Sequence, residues 1–137
     1  MKINLDEGAY MPVREYDADA GLDLRTPKRV VIYPNDSVTI NTGVHVEIPF
    51  GYFGKLESKS GLNVNHGIVS HGGVIDSGYT GPIVVKLYNH GKQKYVFEEG
   101  DKIVQLIIQP CLLPKLELVD DFEDTERGDS GFGSTGK

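Results

Sequence analysis

Val44-His45-Val46-Glu47-Ile48 alternates apolar and polar side chains, a period of two that places every second residue on one face of a β-strand. Turn-forming residues close it on both sides, Asn41-Thr42-Gly43 before and Pro49-Phe50-Gly51 after. The punctuation continues outward through Pro34-Asn35-Asp36, Asn89-His90-Gly91 and Glu98-Glu99-Gly100-Asp101. Between these turns, Val30-Val31-Ile32 and Ile83-Val84-Val85 read as strands buried on both faces. Many short strands with turns at close intervals predict an all-β sandwich or barrel. Only Ser60 to His66 has room for a helix, and Gly61 and Gly67 limit it to about two turns.

With 137 residues and 39% apolar content, the chain is expected to form one domain with a real core. Lys and Arg number 14 against 20 Asp and Glu, a net charge of −6 that argues against nucleic-acid or membrane-surface binding, where a basic footprint carries the affinity. A bound polyanion would need its charge handled locally, with a metal ion. The single cysteine, Cys111, lies in the apolar run Ile107 to Leu113, forms no intrachain disulfide and reads as a small buried hydrophobe. No apolar signal segment opens the sequence and no run approaches the ~20 residues of a membrane span, so a soluble, cytoplasmic protein is expected.

From Glu117 the sequence turns acidic, then enters Arg127-Gly128-Asp129-Ser130-Gly131-Phe132-Gly133-Ser134-Thr135-Gly136-Lys137. Closely spaced glycines let backbone N–H groups converge on an anion, with hydroxyl and cationic donors around the single ring of Phe132. Phosphates plus a flat base suit that set; a solubilising tail is the plainer reading. Gly131-x-Gly133-x-x-Gly136 also fits a dinucleotide fingerprint, and Gly131-x-x-x-x-Gly136-Lys137 most of a P-loop. Both motifs work through a following helix, which the sequence does not supply.

Gly73-Val74-Ile75-Asp76-Ser77-Gly78-Tyr79-Thr80-Gly81 reads as a β-hairpin that sets Asp76 beside a tight turn and brings the Tyr79 ring near the same ligand. An ordinary surface hairpin, with Asp76 in an Asx-turn, is the other reading. Ala20-Gly21-Leu22-Asp23-Leu24 places one carboxylate in an apolar strand, and Ser58-Lys59-Ser60-Gly61-Leu62 places a hydroxyl beside a cation at a glycine turn. Gly100-Asp101-Lys102-Ile103-Val104-Gln105-Leu106 carries one amide, Gln105, in an apolar strand; it needs partners and so faces water or a ligand.

In order and spacing, these five segments resemble the five motifs of the homotrimeric dUTP pyrophosphatases (dUTPases), over a stretch from about Met11 to the C-terminus. The resemblance implies a β jelly roll, or distorted barrel, over residues 1–122 and a flexible glycine-rich arm over 123–137 that closes on the site. It implies hydrolysis of dUTP to dUMP and pyrophosphate with Mg2+, in a homotrimer whose sites are shared between chains. That activity limits uracil incorporation into DNA and supplies dUMP for thymidylate synthesis.

The resemblance also implies roles. Asp76 would be the general base that activates water for attack on the α-phosphorus. Tyr79 would pack on the deoxyribose and leave no room for a 2′-hydroxyl. The backbone around Ser70, Val74, Ile75 and Asp76, with Val84, would read the uracil edge. Lys59, Ser60, Gly61 and Gln105 would hold phosphates, and Asp23 would orient water around a magnesium ion otherwise held by substrate phosphates. Phe132 would stack on the base, with Arg127, Gly133 and Ser134 reaching base and phosphates.

One departure stands out: the second motif usually carries Arg where this chain has Lys59, which keeps the charge but loses the two-pronged contact to phosphate. The four histidines show no metal-ligand spacing, and His71 is the only one expected near the pocket. A dCTP deaminase, a relative of the same fold, would need a glutamate where this chain has Lys86. A dUTPase scaffold that mainly docks a regulatory partner is a further alternative.

Overall fold

The computed structural model describes residues 1–131, in which the turn-punctuated sequence forms eleven strands and one helix. In order these are β1 (Lys2–Leu5), β2 (Gly21–Arg25), β3 (Val30–Ile32), β4 (Ser37–Asn41), β5 (Val44–Glu47), β6 (Tyr52–Ser58), α1 (Ser60–His66), β7 (Ile68–Ser70), β8 (Val74–Ile75), β9 (Val84–Asn89), β10 (Tyr95–Phe97) and β11 (Lys102–Pro110). Two sheets, β2-β11-β6-β8 and β4-β9-β7, share one core, and the ribbons β1-β5 and β10-β3 complete an antiparallel jelly roll. The core draws Leu24, Leu56 and Leu106 from the first sheet and Ile40, Val85 and Leu87 from the second, all essentially inaccessible to solvent. Each such side chain stabilises the fold by about 1.5–3 kcal/mol.

The alternation in β5 holds: Val44 and Val46 are buried, His45 is half-buried and Glu47 exposed. The two-sided burial expected for the other runs does not. Val31 is only half-buried and Val84 is 47% exposed, because β3 and β9 each pack one face on the core and leave the other more open. The expected turns are present. Gly51 and Gly100 take positive φ of 84° and 86° where Tyr52 N–H donates to the Pro49 carbonyl and Asp101 N–H to the Glu98 carbonyl.

Helix α1 has the predicted bounds. Gly67 ends it in the left-handed region, φ 68°, with its N–H on the Asn63 carbonyl. A Cβ there would also lie 2.7 Å from the backbone N of Gly91, so both conformation and space require glycine. Cys111 is half-buried rather than buried. The apolar run ends with β11, and Leu112, just beyond Cys111, is 94% exposed. From Cys111 to Gly131 the chain has no helix or strand. Phe132, Gly133 and Ser134, expected to close on the substrate, lie outside the described residues.

Candidate active site

Gly73 to Gly81 is not a hairpin. Strand β8 pairs with β6 (Ile75 opposite Gly54), whereas β9 pairs with β4 and β7, so the segment crosses from one sheet to the other. The crossing has a local cause. Tyr79 N–H closes a turn onto the Asp76 carbonyl, Pro82 has no N–H for a ladder, and Ile83 N–H is taken by the Val44 carbonyl at 2.8 Å. The Ile83 carbonyl accepts from both the N–H and the hydroxyl of Thr42, which is fully buried.

This crossing frames a cavity of about 240 Å³ lined by Val74, Ile75, Asp76, Tyr79, Pro82 and Val84. Five of those six are the predicted residues; Pro82 was not foreseen. Asp76 is solvent-exposed at the cavity, an acceptor free to meet a water. The Tyr79 hydroxyl donates to the Pro82 carbonyl at 2.9 Å, which holds its ring against the loop. Ser70 lies at the end of β7, where its N–H and carbonyl are both engaged by the Ser58 hydroxyl. Gly72 and Gly73, at φ 88° and 152°, turn the backbone into β8.

A second group forms elsewhere in the same sheet. Asp23 on β2 stands opposite Gln105 on β11, which stands opposite Glu57 on β6, just before Lys59 and Ser60. Asp23 is buried, and its two oxygens meet Lys59 Nζ and, at 2.8 Å, Lys102 Nζ. Burial pushes its pKa up, but the hydrogen bonds and charges of Lys102 and Lys59 outweigh that and hold it below the ordinary aspartate value. Lys102 also reaches Glu15 at 2.7 Å and its pKa is raised, first by the hydrogen bond to Asp23 and then by that to Glu15. Sequence reasoning missed Lys102, because it is a register shift between Lys102 and Val104, with Lys102 opposite Arg25 and Gln105 opposite Asp23, that brings it to the face of the sheet that carries Asp23.

Gln105 is half-buried, and Gly21 makes its place: a Cβ at Gly21 would stand 2.5 Å from Gln105 Oε1. Ser60 and Gly61 occupy the first turn of α1, where N–H groups have no intrahelical acceptor. The donors here are thus hydroxyl, amide, ammonium and backbone N–H, a set suited to phosphoryl oxygens.

Within one chain the two groups stand apart along β6. Asp76 follows Ile75, opposite Gly54, whereas Gln105 stands opposite Glu57, three residues further along β6. Asp76 is thus about four residues from that level, roughly 13 Å along the strand at ~3.3 Å per residue. Arg127 lies exposed in the terminal segment, where its Nε donates to the Ser130 carbonyl.

The expectation that only His71 approaches the pocket is corrected. His45 contacts the Thr80 carbonyl beside Tyr79, whereas His71 turns to His90, with their Nε2 atoms 3.3 Å apart next to the Tyr88 ring. Lys86, at the position where a deaminase would need a glutamate, lies over the Tyr88 ring, 5.4 Å from its centroid. Among the described residues no three His, Cys, Asp or Glu side chains gather to hold a metal, and no helix is long and apolar enough to cross a membrane. A hard cation carried mainly by phosphates and water, with one carboxylate beyond its water shell, fits this donor set.

The chain resembles known proteins in both sequence and fold. The dUTPase family model matches residues 7–136. The deoxyuridine 5′-triphosphate nucleotidohydrolase of Anaeromyxobacter sp. (strain Fw109-5) is 43% identical over 93% of this chain and 88% of its own. The Mus musculus protein of the same name is 41% identical over 98% of this chain and 83% of its own. The solved Staphylococcus bacteriophage 80alpha dUTPase with dUPNHPP superposes with a TM-score of 0.91 at 33% identity, over 99% of this chain and 98% of that one. A dUTPase variant from phage phi11 of S. aureus, described as coordinating a structural Mg(II) ion, gives 0.83 at 33% identity, over 90% and 98%. Matched in sequence along nearly its whole length and in fold at the same time, this chain belongs to the dUTPase family.

Proposed function

We propose that the protein hydrolyses dUTP to dUMP and pyrophosphate, in the cytoplasm, limiting uracil in DNA and supplying dUMP for thymidylate synthesis. The observation that carries this reading is the cavity in which one exposed carboxylate, Asp76, shares walls with one aromatic ring, Tyr79. Asp76 accepts a proton from a water whose oxygen attacks the α-phosphorus; the bond to the bridging oxygen breaks and pyrophosphate departs. Tyr79 packs on the deoxyribose and excludes a 2′-hydroxyl. Backbone groups from Ser70 through Val74 and Ile75 to Asp76, with Val84, read the uracil edge.

Lys59, Ser60, Gly61 and Gln105 hold the triphosphate. Incoming phosphates would draw Lys59 away from Asp23, and that carboxylate would then orient water near a magnesium ion brought in by the phosphates. When bound, Mg2+ neutralises charge on the phosphoryl oxygens. Arg127, Phe132, Gly133 and Ser134, in the arm 123–137, close over the base and phosphates.

The site is completed in a homotrimer. The separation along β6 supports this, as does the segment after β11, where Leu112, Leu116, Leu118 and Phe122 are 94%, 96%, 100% and 86% exposed. So much extended apolar surface calls for cover from another copy of the chain. Pyrophosphate release from dUTP, dCTP, dTTP and UTP with Mg2+ tests the activity; release from dUTP alone is expected, and release from none would overturn it. Mixing Asp76→Asn chains with chains truncated before Arg127 tests the sharing. Activity should reappear in mixed assemblies, and continued inactivity would rule out sharing of these two elements.

A further inference from the structure

His45 has no part in the site described so far, yet both of its ring nitrogens are engaged. Nδ1 lies 2.8 Å from the Thr80 carbonyl oxygen and Nε2 lies 3.1 Å from Asp6 Oδ1. Thr80 directly follows Tyr79, and Asp6 is fixed in turn by its N–H on the Gly43 carbonyl. A carbonyl and a carboxylate are both acceptors, so satisfying the two contacts together requires a proton on each nitrogen. A neutral ring satisfies one and turns a lone pair toward the other.

We propose that His45 is a positioning residue for substrate binding: as an imidazolium it clamps the Thr80 carbonyl to Asp6 and so holds the Tyr79 turn in the shape that receives the deoxyribose. The inference rests on the role of Tyr79 given above. Its neighbours leave His45 as the adjustable element. Tyr79 spends its hydroxyl on Pro82 and its N–H on Asp76, while Ile83 is fixed by Thr42 and Val44. Thr80, between them, is held through its carbonyl by a side chain from a different ribbon.

Among the described residues the charges facing His45 are few. Asp6 contacts it from the turn after β1, and Lys2 on β1 and Glu47 on β5, in the same cleft, pair with each other at 2.8 Å. The Thr80 hydrogen bond raises the His45 pKa, partial burial opposes it, and Asp6 adds to the rise. The sign follows. The clamp is complete below the ordinary histidine range and loosens as pH rises through the elevated value.

Steady-state dUTP hydrolysis by the full chain, from about pH 6 to pH 9 with melting curves at each pH, tests this for wild type, His45→Ala, His45→Gln and Asp6→Asn. Wild-type KM should rise roughly three- to tenfold across the His45 titration, the equivalent of one hydrogen bond, with kcat nearly level. His45→Ala should show the high KM throughout. His45→Gln, whose neutral amide still donates to Thr80, should keep a low KM with no step. Asp6→Asn should move the step to lower pH. A step that persists in both His45 variants, or a low-pH KM for His45→Ala equal to wild type, overturns the proposal. Tyr79→Ala separates the two levels: if it leaves KM unchanged while wild type turns over dUTP, the role of Tyr79 itself fails.

Discussion

Replacing Gly81 by Ala should disturb sugar selection while leaving the fold nearly intact. Gly81 does not occupy the left-handed region, so its backbone accepts alanine. The space does not: a Cβ there would stand 2.6 Å from Tyr79 Cζ and 2.9 Å from Cε2. Ordinary contact begins near 3.5 Å, so the ring must retreat by about 1 Å. Tyr79 is 42% exposed and retreats into solvent rather than into the core. The cost to stability is then about that of its hydrogen bond to Pro82, roughly 0.5–1.5 kcal/mol. The cost to function is larger, because a misplacement of ~1 Å beside the reacting centre can lower rates by about a hundredfold. Measured as kcat/KM on dUTP and UTP alongside thermal melts, Gly81→Ala should lose tenfold or more on dUTP. It should also narrow the dUTP preference, with a melting shift of only a few degrees. An unchanged dUTP-to-UTP ratio at reduced activity would refute the role given to the Tyr79 ring.

Other consequences are equally direct. Gly54→Ala sets a Cβ 2.8 Å from Leu106 Cδ1 and 2.9 Å from Ile48 Cδ1, both buried, and should destabilise by about 1–3 kcal/mol in a denaturant titration. The depressed Asp23 pKa contributes stability that is fully present above the unfolded aspartate value near 3.8 and is lost as pH falls through the lower folded value. Asp23→Asn should therefore flatten the acid limb of stability against pH. Lys59→Arg restores the two-pronged phosphate contact and should lower KM for dUTP, with less change for dUMP, in parallel kinetic and inhibition assays.

Much of this was legible in the sequence wherever a local rule decides. The two-turn helix followed from Gly61 and Gly67, and the structure adds why Gly67 cannot be replaced: Gly91 leaves no space for a side chain. The cavity residues Val74, Ile75, Asp76, Tyr79 and Val84 were readable from the motif. What the sequence concealed depends on long-range pairing. Nothing near Gly73 shows that β8 pairs with β6 rather than β9, because β6 lies about twenty residues earlier. His45 and Lys102 stayed hidden for the same reason, since their partners Thr80 and Asp23 come from distant parts of the chain, whereas Pro82 was missed because its loop was read as a hairpin rather than a crossing between sheets.

The most direct test of the account is single-turnover pyrophosphate release from dUTP by Asp76→Asn, with nucleotide affinity measured on the same preparation. Turnover should fall by at least about a hundredfold while dUTP still binds, as expected when a general base is removed from a preserved pocket. Wild-type turnover by that variant would contradict the assignment of Asp76 as the base.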